Sequence, residues 1–337
     1  MTTPNEAMES IEPLPVFPAA SPELGAQARP GWLIDGLWAA EGVGVIGGAP
    51  KCCKTWLSLD LAVSVSSGTN ALGRFRVQTP GPVLVFGAED RRVALRDRIE
   101  TIARARGLGL PDLDLGLIVA DGLRLDAARD LARLRATLRQ RSPRLVILDP
   151  LVRLHRIDEN SAGEMSALLG ELRTIQREHH VAIVLVHHVR KNGGLGGQSL
   201  RGSGDLHAWG DSNLYLHRRD RQIVLTVEHR SAASPPPCTL ELVEEPATAH
   251  LRVVEGDFSE RELAADTADK IVELLSAGAM SREALRGALH VRNATVTEAL
   301  ARLRAEGRIE RGDDGFRLVP AVPVPVPREE RERNGAS

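Results

Sequence analysis

The residues that announce chemistry are Gly48, Lys54 and Thr55. They stand at the spacing G-x-x-x-x-G-K-[ST] of a phosphate-binding loop, with Cys53 where that pattern has its second glycine. Such a loop turns its backbone N–H groups inward around oxyanions, and a helix starting at the lysine aims its positive dipole end at them. The expected contacts are Gly48, Ala49, Pro50, Lys51, Cys52, Cys53, Lys54, Thr55 and Trp56. Lys54 would reach the β- and γ-phosphates, and the Thr55 hydroxyl would bind Mg²⁺. The ligands implied are therefore ATP and Mg²⁺. A Cβ at position 53 is expected to crowd the loop, which bears on the rate of hydrolysis.

Carboxylates and cations follow at places where they serve such a loop. Glu89 ends an apolar run, Val83-Leu-Val-Phe86, and would polarise an attacking water; Asp90 is the competing candidate. Asp149 ends Leu145-Val-Ile-Leu148 and would support the metal. His187 and His188 end another apolar run, where one of them would sense the γ-phosphate. Arg218 and Arg219 are candidates for an arginine finger reaching a neighbouring subunit. Each residue also has an ordinary use, as a helix cap, a strand end or a packed histidine. Cys52 and Cys53 invite a redox switch that blocks the phosphate site, against the plainer reading of two loop residues.

The elements that must position these groups can be read from periodicity. Strands are expected at 42–47, 81–90, near 115–120, at 144–149 and at 181–188, with helices at 54–66, 92–106, near 127–140 and at 161–179. Val93, Ile99 and Ile102 would form the apolar face of the second helix. Continuous apolar strands alternating with helices predict an α/β fold, a mostly parallel twisted sheet covered on both faces. Strands near 212–217, 222–229, 239–243 and 250–254 would close this domain. Residues 1–28 read as a disordered arm, 29–255 as the phosphate-loop ATPase domain and 256–265 as a linker. Residues 266–319 read as three helices and a hairpin, a small C-terminal winged helix-turn-helix domain, and 320–337 as a disordered tail.

Composition narrows the field. The 337 residues carry a formal net charge of −2, so no global basic field draws the chain to nucleic acid. Of the four lysines, Lys51, Lys54, Lys191 and Lys270, two fall in the phosphate loop. Three cysteines without a metal-ligand spacing, and no run long enough to span a bilayer, point to a cytoplasmic protein with no membrane partner. Aromatic residues make up only 3%, which disfavours base stacking and favours backbone contacts by arginine, lysine and loop N–H groups. In the small domain, Arg292 and Arg302 would lie near phosphates of a duplex. Nine basic and nine acidic residues balance between Asp266 and Leu318, so that unit would bind duplex DNA weakly or contact a protein.

Together, several segments resemble the RepA-type branch of the RecA/DnaB-like ATPases, which includes hexameric plasmid replicative helicases. These are Gly48 with Lys54 and Thr55, Phe86-Gly-Ala-Glu-Asp90, Leu145-Val-Ile-Leu-Asp149-Pro-Leu, Leu154-His-Arg-Ile-Asp-Glu-Asn160, Val186-His-His188 with Lys191, and Gly197-Gln-Ser-Leu-Arg-Gly-Ser203. The resemblance covers about residues 30–230. It implies a RecA-like core with catalytic Lys54, Glu89 and His188, the last as γ-phosphate sensor, and Thr55 and Asp149 at the metal. Arg98 would lie against the adenine. The 191–203 loop, with Lys191 and Arg201, would be a pore loop on single-stranded DNA. The expected assembly is a homo-oligomeric ring, a hexamer, acting as a helicase or translocase in replication of a plasmid, phage or mobile element. Two alternatives are a recombination-mediator-like ATPase that does not unwind, and a DNA-binding regulator switched by ATP.

Overall fold

The computed structural model describes residues 31–119, 122–159, 161–188, 204–219, 222–254, 260–289, 293–312 and 314–319, together with Val16 and Pro18. The expected terminal arm and tail, the loop carrying Lys191 and Arg201, and Arg292 lie outside these residues, as does the side chain of Arg219.

The chain begins with a small hairpin, β1 (Trp32–Ile34) and β2 (Trp38–Ala39). A nine-stranded sheet follows, built from β3 (Val43–Gly48), β4 (Val83–Gly87), β5 (Leu115–Leu117), β6 (Leu145–Asp149), β7 (Ala182–His188), β8 (Ser212–Arg219), β9 (Gln222–His229), β10 (Cys238–Glu244) and β11 (Ala249–Val253). Its order is β11-β10-β9-β8-β3-β7-β6-β4-β5. The six strands from β8 to β5 are parallel, and β9 to β11 extend the sheet antiparallel. The α/β class with a mostly parallel sheet is therefore as expected.

Side-chain alternation divides each central strand between two cores. On one face Ile46, Ile147, Val186 and Leu216 meet the helices α1 (Lys54–Ser67) and α2 (Arg92–Arg104) through Leu57, Leu61, Ile99 and Ile102. On the other, Val45, Leu148, Leu185 and Tyr215 meet α3 (Ala128–Arg141), α4 (Ala162–His179) and α5 (Gly204–Trp209). Within α2 the expected face is partly wrong. Val93 is 68% exposed, and Leu95 takes its place in the core because it lies one turn before Ile99 and Ile102.

β3 lies between two parallel partners, and its glycines make that possible. A Cβ on Gly44 would stand 1.7 Å from the Ser212 carbonyl oxygen, so β8 can approach only a bare backbone there. Beneath the loop, α1 is held by a buried ion pair. Arg106 donates to Asp60 at 2.6 Å and also to Ser64 and Thr69, while the Leu72 N–H donates to the other Asp60 oxygen at 2.8 Å. Burial still pushes the Asp60 pKa up, outweighing the Arg106 charge.

Past residue 259, α6 (Glu260–Ser276), α7 (Arg282–Leu289), α8 (Asn293–Ala305) and the hairpin β12 (Ile309–Gly312) and β13 (Gly315–Leu318) enclose their own core. Ile271, Leu285, Val296, Leu300 and Leu303 fill it. Ser281 caps α7 by accepting the Ala284 N–H at 3.1 Å, as its type suggests. The expected linker 256–265 is too long. Helix α6 begins at Glu260, because Glu-Arg-Glu-Leu-Ala-Ala is a run of strong helix formers that extends it toward the sheet domain.

Removing the buried partner of Asp60 should be costly. Arg106→Met is expected to lower stability in urea unfolding by about 3 kcal/mol, since it leaves a buried carboxylate uncompensated. Arg96→Ala, which breaks an exposed pair with Glu100, should lower it by less than about 1 kcal/mol.

Candidate functional site

The expected site residues come together where β3, β6, β7 and β8 end. Ile46, Ile147, Val186 and Leu216 all face α1, so the residue two positions on in each strand projects the same way. Those residues are Gly48, Asp149, His188 and Arg218. His188 lies in register beside Gly48. His187 points to the opposite face, is fully buried, and has Glu159 Oε1 3.9 Å from its Nδ1. The structure thus separates the paired histidines, and only His188 lies on the loop side.

At Cys53 the loop takes a backbone conformation suited to glycine. Cys53 caps α1 with φ 61° and ψ 28°, a left-handed conformation that glycine adopts without steric cost. Lys51 also has a positive φ, 64°. A cysteine in this region costs on the order of 1 kcal/mol. The crowding expected of its Cβ is thus met as backbone strain, and its thiol is half-buried. Burial pushes the Cys53 pKa up, so the thiol stays protonated, which runs against a low-pKa redox switch.

Lys54 is only 6% exposed and donates from Nζ to the Ala49 carbonyl at 2.9 Å. Burial lowers its pKa, while Cys52, Asp149, Glu89 and Cys53 act the other way. Its ammonium is thus held across the loop mouth by a backbone oxygen. The Thr55 hydroxyl donates to Asp149 at 2.7 Å. Burial raises Asp149 to about 6; Thr55 opposes the shift, and the charges of Asp90 and Glu89 add to it. A buried hydroxyl–carboxylate pair beside a helix N-terminus is a donor set suited to a hard divalent cation.

The other expected residues are placed as follows. Glu89 is exposed and accepts from Arg153 Nε at 2.8 Å. Asp90 pairs with Arg98 at 2.5 Å, and the Arg98 guanidinium lies 5.8 Å from the Trp56 ring centroid. Arg302 of α8 pairs with Glu306 just past the helix end, so its charge is partly satisfied locally. Arg153 escaped notice in the sequence. Sixty-four positions separate it from Glu89, and nothing local marks the contact. Among the described residues, no cluster of three or more His, Cys, Asp or Glu forms a metal site made wholly of protein ligands. No helix among them is long and apolar enough to cross a membrane.

A family model described as an AAA domain matches residues 11–194. Among solved structures, the chain is similar to a DnaB-like replicative helicase described with its interactions with primase. Identity is 16% and the TM-score 0.48, over 63% of this chain and 59% of that one. The chain therefore spans less than two thirds of that helicase's length. It is also similar to the RadB recombinase, with 18% identity and a TM-score of 0.47, over 64% of this chain and 92% of that one.

The raised Asp149 pKa sets a pH dependence. The folded value, about 6, lies above the ordinary 3.8, so the metal-free fold binds this proton more tightly than the unfolded chain does. Its contribution to stability therefore falls as pH rises from about 4 to 6. On the expectation that Asp149 takes Mg²⁺, the ion has to displace this proton, so Mg²⁺-dependent nucleotide affinity should rise as pH increases through about 6. Titration calorimetry from pH 5 to 8 checks this, and Asp149→Asn should flatten the profile.

Proposed function

The chain belongs to the AAA domain family, and from that premise we propose that it is a DNA-dependent Mg·ATPase with a RecA-like core. The observation that carries the reading is the Thr55–Asp149 hydrogen bond beside the loop-bound Lys54 ammonium, both at the N-terminus of α1. These residues fit a triphosphate and its metal. Lys54 and the loop from Gly48 to Trp56 hold the phosphates. Thr55 and Asp149 hold Mg²⁺, which when bound withdraws charge from the phosphate oxygens. Arg98 lies against the adenine, and His188, level with Gly48, senses the γ-phosphate.

Glu89 orients the attacking water and takes its proton. The water oxygen bonds to the γ-phosphorus as the bridging P–O bond to the β-phosphate breaks. The products are ADP and inorganic phosphate, and the proton passes from Glu89 to solvent. In the structure Glu89 is held by Arg153 at 2.8 Å. Release from Arg153 therefore has to precede the step, and a chain of contacts from DNA to this arginine would couple binding to turnover.

The finer reading follows the sequence motifs. Lys191 and Arg201 contact single-stranded DNA, the chain assembles as a homo-oligomeric ring, a hexamer, and the work done is unwinding or translocation for a plasmid, phage or other mobile element. The three helices and hairpin after residue 259 act as a winged helix-turn-helix, with Arg292 and Arg302 toward duplex DNA or a protein partner. The Arg302–Glu306 pair favours the protein. The Glu89–Arg153 pair also supports a second reading, a DNA-binding regulator in which ATP switches conformation with slow turnover.

Steady-state ATP hydrolysis with and without single-stranded DNA tests the proposal. Stimulation by the single strand is expected, with a loss of about a hundredfold or more in Lys54→Ala. Turnover indifferent to DNA would point to a mediator that acts through a protein. ATP binding without turnover would favour the switch and overturn the motor.

A further inference from the structure

Glu89 is held by a single exposed contact. Arg153 Nε donates to Glu89 Oε1 at 2.8 Å, and the two side chains are 64% and 46% exposed. The backbones behind them are fixed. Arg153 ends a tight turn, Leu151–Arg153, whose N–H donates to the Pro150 carbonyl at 3.1 Å, and both Leu151 and Leu154 are fully buried. The Ala88 N–H donates to the Asp149 carbonyl at 2.7 Å, which ties the end of β4 to the end of β6. Parting the pair therefore moves two side chains and no strand. An exposed ion pair of this kind is held weakly, so a better anion can take the arginine from it.

Arg153 also lines a cleft of about 350 Å³ at the end of β4, together with Arg91 and Arg92. Among the described residues, neither Arg91 nor Arg92 has an ion-pair partner. Both stand at the first residues of α2, where the helix dipole disfavours a cation and no acidic residue in the first turn offsets it. Asp90 lines the same cleft and is already paired with Arg98. Arg153 gives only its Nε to Glu89, so its terminal N–H groups have no partner among the described residues. The cleft thus gathers three cations against one spent carboxylate, in a chain whose net charge of −2 attracts no polyanion by itself. Ile118 and the exposed Val119 add an apolar wall, while Phe86 is buried and offers no ring for stacking.

We propose that this cleft binds the phosphodiester backbone of single-stranded nucleic acid, and that Arg153 leaves Glu89 for a phosphate when the cleft is filled. A guanidinium meets a phosphate through two parallel N–H bonds, which one Nε contact to a carboxylate does not match. Sugar lies on the wall of Ile118 and Val119. The released Glu89 stays ionised and is free to orient the attacking water. Arg153 is therefore a positioning residue, and it joins nucleic-acid binding to turnover through one side chain.

The inference rests on the ATPase reading, so the first control is wild-type hydrolysis by the full chain that a poly-dT oligonucleotide stimulates and Lys54→Ala abolishes. Failure of that control removes both. Given it, Arg153→Ala should raise kcat several-fold without DNA, leave the KM for ATP within about twofold, and lose most of the stimulation. Arg153→Lys keeps a point charge and should restore part of the stimulation. A merely structural arginine would instead lower turnover in both conditions. The double variant Arg91→Ala/Arg92→Ala should raise the half-stimulating poly-dT concentration about tenfold and flatten its salt dependence. Stimulation in Arg153→Ala equal to wild type, or an unchanged half-stimulating concentration in the double variant, would overturn the inference and leave the ATPase reading standing. Equal stimulation of the wild type by polyglutamate would assign the cleft to an acidic peptide and overturn it too.

Discussion

Everything at this site depends on how closely β8 and β7 can approach β3. Parallel strands pair about 5 Å apart, and the side chains of one strand normally fill the space beside it. Gly44 and Gly48 leave that space to backbone. The approach brings the carboxyl ends of three strands around one loop, and β6 joins them through β7. From then on, strand alternation alone turns Gly48, Asp149, His188 and Arg218 toward α1. A side chain at Gly44 would push β8 away from β3.

The charges gathered there are set by burial more than by their partners. Desolvation is the leading cause of the shifts at Lys54, Asp149, Asp60 and Cys53, and it favours the neutral form of each. Where opposite charges meet, as in Asp60 with Arg106, the pair fixes the floor of α1. Where a hydroxyl meets a carboxylate, as in Thr55 with Asp149, burial makes the carboxylate hold its proton more firmly. One helix therefore carries an ion pair at its middle and a hydroxyl–carboxylate pair at its tip.

Cys53 shows how a departure from a local rule acquires meaning. By type it does not belong in a left-handed cap, and the backbone adopts that conformation regardless. Rules of this kind tend to be broken at functional sites, where another contact offsets the strain. Here the strained residue directly precedes Lys54 and Thr55, whose bonds to Ala49 and Asp149 fix the start of the helix.

The sequence by itself determined the local features. It marked the phosphate loop, the apolar strands ending in Glu89, Asp149 and His188, the helices between them, and the helix-and-hairpin unit with its Ser281 cap. Each of these is written within ten or twenty neighbouring residues, as spacing, periodicity or capping chemistry. Tertiary structure alone decided the strand order, which histidine faces the loop, and the partners of Glu89 and Asp60. Those contacts join residues dozens of positions apart, and only strand pairing and close packing choose among arginines that look alike in the chain. The misjudged face of α2 has the same origin. Val93 and Leu95 are both apolar, and the orientation of the helix on the sheet decides which of them is buried.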